Sequence, residues 1–193
     1  MLRFNALFSQ PQYYSEHLGE KKDHKDIIRK FEPANENGYG LVEYLQHWAF
    51  DDEVNNDART YLVRQKGTKE LVGYFTLKAG AINQYASESG RKSSIPGIEL
   101  VNFAVNGAYK KKHPVIYGVG RRILYTEIMT RAQAVQSFIG AKILYIFALP
   151  YEPLLNYYKS VGFRRLSEKN EAYIHKTNKP TYDDSCIFMY QLL

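Results

Sequence analysis

One cysteine in 193 residues, Cys186, excludes an internal disulfide and a thiolate metal cluster. Long apolar runs are missing too. The longest, such as ILYIFAL at 143–149, fall far short of the ~20 residues that cross a bilayer. The opening stretch MLRFNALFSQPQYY has neither an apolar core nor a small-residue cleavage site, so no secretory leader is expected. The histidines His17, His24, His47, His113 and His175 never fall at H-x-x-H or HExxH spacing, which argues against a metal centre. No G-x-S-x-G elbow occurs, and Cys186 falls in an expected strand, where it reads as core rather than as a nucleophile. Repeats and low-complexity tracts are absent. What is present is 45% apolar content, with aromatics at 15%, enough for a sizeable core and too much for a chain whose main state is disordered. The expectation is one soluble, cytoplasmic globular domain over residues 1–193.

Twenty-six basic against twenty acidic side chains give a net charge of +6. Such a surface attracts polyanions, whether a phosphorylated cofactor or a nucleic acid, although surplus surface lysine reads the same way. The charge is concentrated: Lys110, Lys111, Lys112, His113, Arg121 and Arg122 follow one another with no acid between Tyr109 and Arg122.

The first forty residues are polar and mixed, and are expected to hold one helix with long loops. Leu41, Tyr44, Leu45 and Trp48 lie at helical spacing, which predicts an amphipathic helix over 41–50 with Trp48 in the core. The period then changes. TYLVR at 60–64 and LVGYFTL at 71–77 read as a hairpin around Gly67, and Gly73 within the second strand marks a bulge or a close backbone approach. Residues 80–97, rich in Gly, Ser and Asn, read as a loop before a strand over 98–105. A basic loop follows it. From Val119, the residues Ile123, Leu124, Ile128, Met129, Ala132, Val135, Phe138 and Ile139 form one apolar stripe that Gly140 ends. KILYIFAL at 142–149 reads as a buried strand, PLLNYYKS at 153–160 as a short helix, and 163–166 and 187–192 as the last strands, with a loop over 167–185. The order is that of a mixed α/β domain with a βαβ unit at its centre.

Strand, Gly118-x-Gly120 loop and long helix together are a physical recipe for binding phosphate. Glycines let the backbone approach closely, and the first N–H groups of the helix point at the anion. Ile123 stands where the dinucleotide fingerprint G-x-G-x-x-G requires glycine, and no G-x-x-x-x-G-K-[ST] loop exists. NAD and nucleoside triphosphates are thereby disfavoured.

The run IELVNFAVN (98–106), then YGVGRRIL (117–124) opening a long helix, then KILYIFAL and NYYKSVGF (156–163) resembles the GNAT superfamily of acetyl-CoA-dependent N-acetyltransferases. The resemblance covers residues 40–166. Its loop pattern is [Q/R]-x-x-G-x-[G/A], here with Val115 in place of Gln or Arg, and its later pattern F-Y-x-x-x-G-F is met by Tyr157, Tyr158, Gly162 and Phe163. The stretch 107–117 is longer than usual and holds Pro114, and Tyr151 replaces an asparagine common before the last helix. The upstream half, with L-x-x-W, TYLVR and VGYFTL, is similar to the toxin-type GNATs, which acetylate aminoacyl-tRNA.

The resemblance implies a mostly antiparallel, splayed central sheet flanked by helices, direct acetyl transfer from acetyl-CoA to a primary amine, and no metal. Tyr158 matches the tyrosine that protonates the departing thiolate, and Glu99, in E-x-x-x-x-A-V, resembles the strand glutamate that acts as base. A packed aromatic and a solvated strand glutamate are the plainer readings of the same two residues. Phe103, Ala104 and Val105 would offer backbone groups to the pantetheine arm, while Gly118, Val119, Gly120, Arg121 and Arg122 would form the pyrophosphate loop. Lysines 110–112 would either reach the 3′-phosphate or form a solvated loop. The acceptor stays open between a small-molecule or peptide amine and aminoacyl-tRNA, and a non-catalytic acyl-CoA binder is a third reading. His47 and Trp48 are candidates for an acceptor groove, Tyr13, Tyr14, Tyr109 and Tyr117 are compatible with stacking on nucleotides, and the resemblance is compatible with a homodimer.

Overall fold

Period-two segments become strands and the two long apolar stripes become helices, and together they build a mixed α+β fold. The computed structural model describes residues 12–85, 92–178 and 184–193. Seven strands, β1 (Tyr13–His17), β2 (Arg59–Gln65), β3 (Leu71–Tyr85), β4 (Lys92–Val105), β5 (Ile143–Ala148), β6 (Arg164–Arg165) and β7 (Ile187–Leu192), are hydrogen-bonded in the order β1-β2-β3-β4-β5-β7-β6. The pairs β1–β2, β2–β3, β5–β7 and β6–β7 are antiparallel and β4–β5 is parallel. Six helices accompany them among the described residues. They are α1 (His24–Ile28); α2, made of Tyr39–Glu43, a π-helical turn Tyr44–Trp48 and Ala49–Asn55; α3 (Gly107–Lys112); α4, made of Val119–Ile123, a π-helical turn Leu124–Ile128 and Met129–Ile139; α5 (Glu152–Ser160); and α6 (Glu168–Thr177). This is the mostly antiparallel sheet flanked by helices that the sequence led us to expect.

The chain folds as two compact units, Met1–Leu77 with Asn102–Ile128 and Lys78–Val101 with Met129–Leu193. The strands β3 and β4 and the helix α4 each continue from one unit into the other.

In the first unit the core gathers Leu18, Ile28, Phe31, Tyr44, Leu45, Ala49, Leu62, Leu71 and Tyr74. Here β1 pairs with β2 from Tyr13↔Gln65 to His17↔Tyr61, so the first forty residues supply a strand as well as the expected helix. The register of β2 on β3 shifts between Val63 and Arg64, opposite Gly73. A side chain at Gly73 would place Cβ 2.5 Å from the Ala104 carbonyl oxygen. Both the bulge and the close approach read from Gly73 are present. The π-helical turn in α2 rotates the helix out of the simple stripe, so Ala49 takes the buried position and Trp48 is 58% exposed. The helix also runs past 50 to Asn55, where Asn56 turns it off in the left-handed conformation. The basic stretch after β4 is helix α3 rather than loop. Asn106 caps it, its side-chain oxygen accepting from Ala108 N–H at 3.1 Å.

The second unit packs Ile82, Ile143, Tyr145, Ile174 and Phe188 together. The expected loop over 80–97 is strand on both sides, β3 reaching Tyr85 and β4 starting at Lys92; residues 86–91 lie outside the described part. Gly80 and Gly97 sit within strands here because Tyr145 lies against both. The expected loop over 167–185 contains α6, which buries Glu171 and Ile174. The apolar stripe of α4 is buried as far as Ala132 and half-buried at Val135; Phe138 and Ile139 are 86% and 70% exposed.

Candidate functional site

The phosphate-type turn lies in the first unit. Gly118 adopts φ +66°, a left-handed conformation that glycine enters without a steric penalty, and no side chain caps the helix it opens. The N–H groups of Val119 and Gly120 fall in the first turn of the helix, ahead of its hydrogen-bonded ladder. That of Arg122 is already used, donating to Gly118 O at 3.0 Å. The Arg122 side chain lies over the Tyr13 ring, 5.0 Å from its centre, and its Nη2 donates to the Tyr13 hydroxyl at 3.1 Å and to Tyr117 O at 3.3 Å. Phe103, Ala104 and Val105 form the end of β4, all half-buried.

The lysines that sequence reading assigned to a loop are spread around α3. Lys111 pairs with Glu32 at 2.8 Å, Lys112 pairs with Glu70, and His113 Nε2 lies 3.0 Å from the same Glu70 carboxylate. Those contacts hold the Glu70 carboxyl below the ordinary glutamate range, the hydrogen bond from Lys112 being the largest cause. Of the four tyrosines considered for stacking, Tyr13 and Tyr109 are buried, Tyr14 is half-buried and Tyr117 is 78% exposed. Val115, at the loop position where GNAT patterns place Gln or Arg, is exposed as well.

The second unit holds the two residues proposed for proton transfer. Glu99, half-buried on β4, stands in register with Tyr145 of β5, whose hydroxyl lies 3.4 Å from Glu99 Oε2. Desolvation pushes the Glu99 carboxyl above its usual range, against the opposing effects of Lys78 and the Tyr145 hydroxyl. The same burial, reinforced by Glu99, raises the Tyr145 hydroxyl. Gly80 vacates the space this hydroxyl occupies: a Cβ there would stand 2.0 Å from the oxygen. Glu99 and Tyr145 also close the parallel ladder, which runs through Gly97–Glu99 and Ile143–Tyr145 and goes no further. Tyr145 escaped sequence reading because it is one aromatic in an apolar run.

Tyr158, on α5, is 3% exposed, with its ring packed against Tyr157 and Phe163, each at 5.3 Å. Burial drives its hydroxyl well above the ordinary tyrosine range. Tyr151 occupies the N-cap of α5 without capping it through its side chain. Among the described residues no cluster of three or more His, Cys, Asp or Glu side chains could hold a metal ion, and no helix is long and apolar enough to cross a membrane.

A sheet whose central pair is parallel over three residues, with a glycine turn opening the following long helix, is the fold of the GNAT acetyltransferases, and this chain has it. It is similar over nearly its whole length to solved toxin structures. A bacterial toxin matches with a TM-score of 0.67 and 18% identity, over 94% of this chain and 91% of that one. A variant of the AtaT toxin with phenylalanine replacing a tyrosine, bound to the C-terminus of the antitoxin AtaR and acetyl-CoA, matches with a TM-score of 0.61 and 18% identity, over 93% of each chain. AtaT complexed with acetyl-methionyl-tRNAfMet matches with a TM-score of 0.62 and 18% identity, over 92% of this chain and 94% of that one. No family model matches the sequence.

Proposed function

We propose that this chain is an N-acetyltransferase that moves the acetyl group of acetyl-CoA onto a primary amine by direct attack in a ternary complex. The observation that carries the reading is the place of Glu99: a half-buried carboxyl with a raised proton affinity, at the last paired residue of β4 before the strand leaves β5. Glu99 takes a proton from the incoming ammonium group. The amine nitrogen then attacks the thioester carbonyl carbon, the C–N bond forms, the C–S bond breaks, and the second proton shed by the new amide nitrogen restores the Tyr158 hydroxyl after that group has protonated the leaving sulfur. Tyr158 gives its proton to the departing thiolate. Its hydroxyl carries a proton throughout the neutral range, as a donor must. Val119, Gly120 and Arg121 offer N–H groups to the pyrophosphate, and Phe103, Ala104 and Val105 offer backbone groups to the pantetheine arm.

Among acceptors we place the amine of an aminoacyl-tRNA first. Two observations favour it: the toxin with this fold captured with acetyl-methionyl-tRNAfMet, and the surplus of six positive charges.

Calorimetric titration of acetyl-CoA, beside its 3′-dephospho analogue, is the first test. Saturable binding, followed by acetylation of aminoacyl-tRNA that Tyr158→Phe reduces at least a hundredfold with acetyl-CoA affinity retained, is the expected result. No binding at millimolar acetyl-CoA would end the enzyme reading. Acetyl-CoA binding with no turnover on any amine would favour the acyl-CoA-binding protein instead.

A further inference from the structure

A cavity of about 350 Å³ opens in the first unit beside α1, the β2–β3 turn and α3, and the proposed transfer does not use it. Ile27 and Leu71 contribute aliphatic lining, while its charged lining is Lys30, Arg64, Lys69 and Lys112 against a single acid, Glu70. Lys112 is neutralised by Glu70. Lys30 and Lys69 form no ion pair among the described residues.

Arg64 is the informative residue. It is 8% exposed, and a buried guanidinium is costly unless its donors are used. Its Nε donates to the Lys69 carbonyl at 2.6 Å. Its Nη1 lies 3.5 Å from the Glu16 carboxylate without forming a hydrogen bond. Glu16 is meanwhile engaged by Lys21, and by His24 Nε2 at 3.0 Å, so its negative charge is shared among three partners. That leaves Nη1 a buried donor without a hydrogen bond. Lys69, tied to Arg64 through its carbonyl, is held at φ +60°, a conformation that strains a residue with a side chain. An under-compensated arginine beside two unpaired lysines matches a multiply charged oxyanion, which offers an acceptor to each.

We propose that this cavity is a phosphate-binding site, separate from the Gly118 turn, that takes the phosphate of a free nucleotide or of an RNA strand. The test titrates inorganic pyrophosphate, adenosine monophosphate and a short single-stranded RNA into the full chain and into the double variant Lys30→Gln with Lys69→Gly. Glycine accepts the left-handed backbone at 69, so the variant is expected to keep or raise its melting temperature. The expected result is a loss of at least tenfold in pyrophosphate affinity with acetyl-CoA affinity unchanged. A matching loss for RNA with weak mononucleotide binding identifies the strand as the source, and the reverse identifies the free nucleotide. Three results would overturn the site: no saturation at millimolar pyrophosphate, affinity unchanged in the double variant, or displacement of pyrophosphate by acetyl-CoA.

Discussion

Glycine 80 and tyrosine 145 illustrate how much one residue's missing side chain can determine. Gly80→Ala would drive a methyl into the tyrosine oxygen. The expected cost is on the order of 1–3 kcal/mol, read as a shift in the denaturant midpoint. Tyr145→Phe in the Gly80→Ala background should recover part of it, because the clash is with the hydroxyl; equal losses with and without that oxygen would place the strain elsewhere. On the proposed role as base, Glu99 sets the pH dependence. A carboxyl must be ionised to accept a proton, and burial raises the pH at which Glu99 ionises. The acidic limb of kcat/KM is therefore expected above the ordinary glutamate range of about 4.3, and Glu99→Gln should abolish the limb together with most of the rate. Stability follows the opposite sign. A carboxyl whose folded-state proton affinity is raised destabilises the fold as pH climbs through its ionisation, so Glu99→Gln should be neutral in acid and stabilising near pH 7. Thermal melts at both pH values check this.

Elements were legible where periodicity was strong and obscure where packing overrode composition. The stripe opening at Val119 and the buried run at 142–149 announced α4 and β5 because their apolar spacing has a single structural solution. The strand β1, five residues of mixed polarity, has no such pattern and exists because β2 offers it a ladder. Three consecutive lysines disguised α3, whose start is fixed by Asn106 rather than by any apolar face. That cap is also a junction: Asn106 accepts from the N–H groups of Ala108 and Glu32 and donates to the Leu71 carbonyl at 3.0 Å, all while 5% exposed. Asn106→Ala loses the cap and strands buried polar groups, for an expected cost of about 2–4 kcal/mol. Chemical denaturation measures it, and a loss under 1 kcal/mol would show that water replaces the asparagine. The π-helical turns were invisible to a fixed 3.6-residue period, and one of them carried Trp48 out of its expected core position. Among the candidate site residues, the Gly118 turn and Glu99 could be found by motif, whereas Arg64 and Tyr145 could not, since folding brings Glu16 to the one and Glu99 to the other.

For the molecule as a whole, the net charge of +6 sets an expectation for its encounter with nucleic acid. If about four phosphates are neutralised on binding, affinity for tRNA should fall roughly a hundredfold between 50 and 200 mM salt. Acetylation of a small neutral-bodied amine should change little over the same range. Filter binding and initial rates measured side by side distinguish a polyanion acceptor from a metabolite, and a flat salt response for tRNA would remove it from consideration.

The interleaving of the two units has a consequence for how the chain is made. Every residue of the first unit lies within positions 1–128, whereas the second needs residues 78–101 and then everything from 129 to 193. On the ribosome the first unit can therefore assemble while β4, already synthesised, still lacks β5 at its parallel edge. That edge waits until residue 148 has emerged, and β5 in turn waits for β7, the last strand to appear. An unpaired strand edge is a template for aggregation. The vulnerable period of this protein's life is thus the interval of translation between positions 128 and 192, when a nascent chain already half folded presents an open edge to its neighbours.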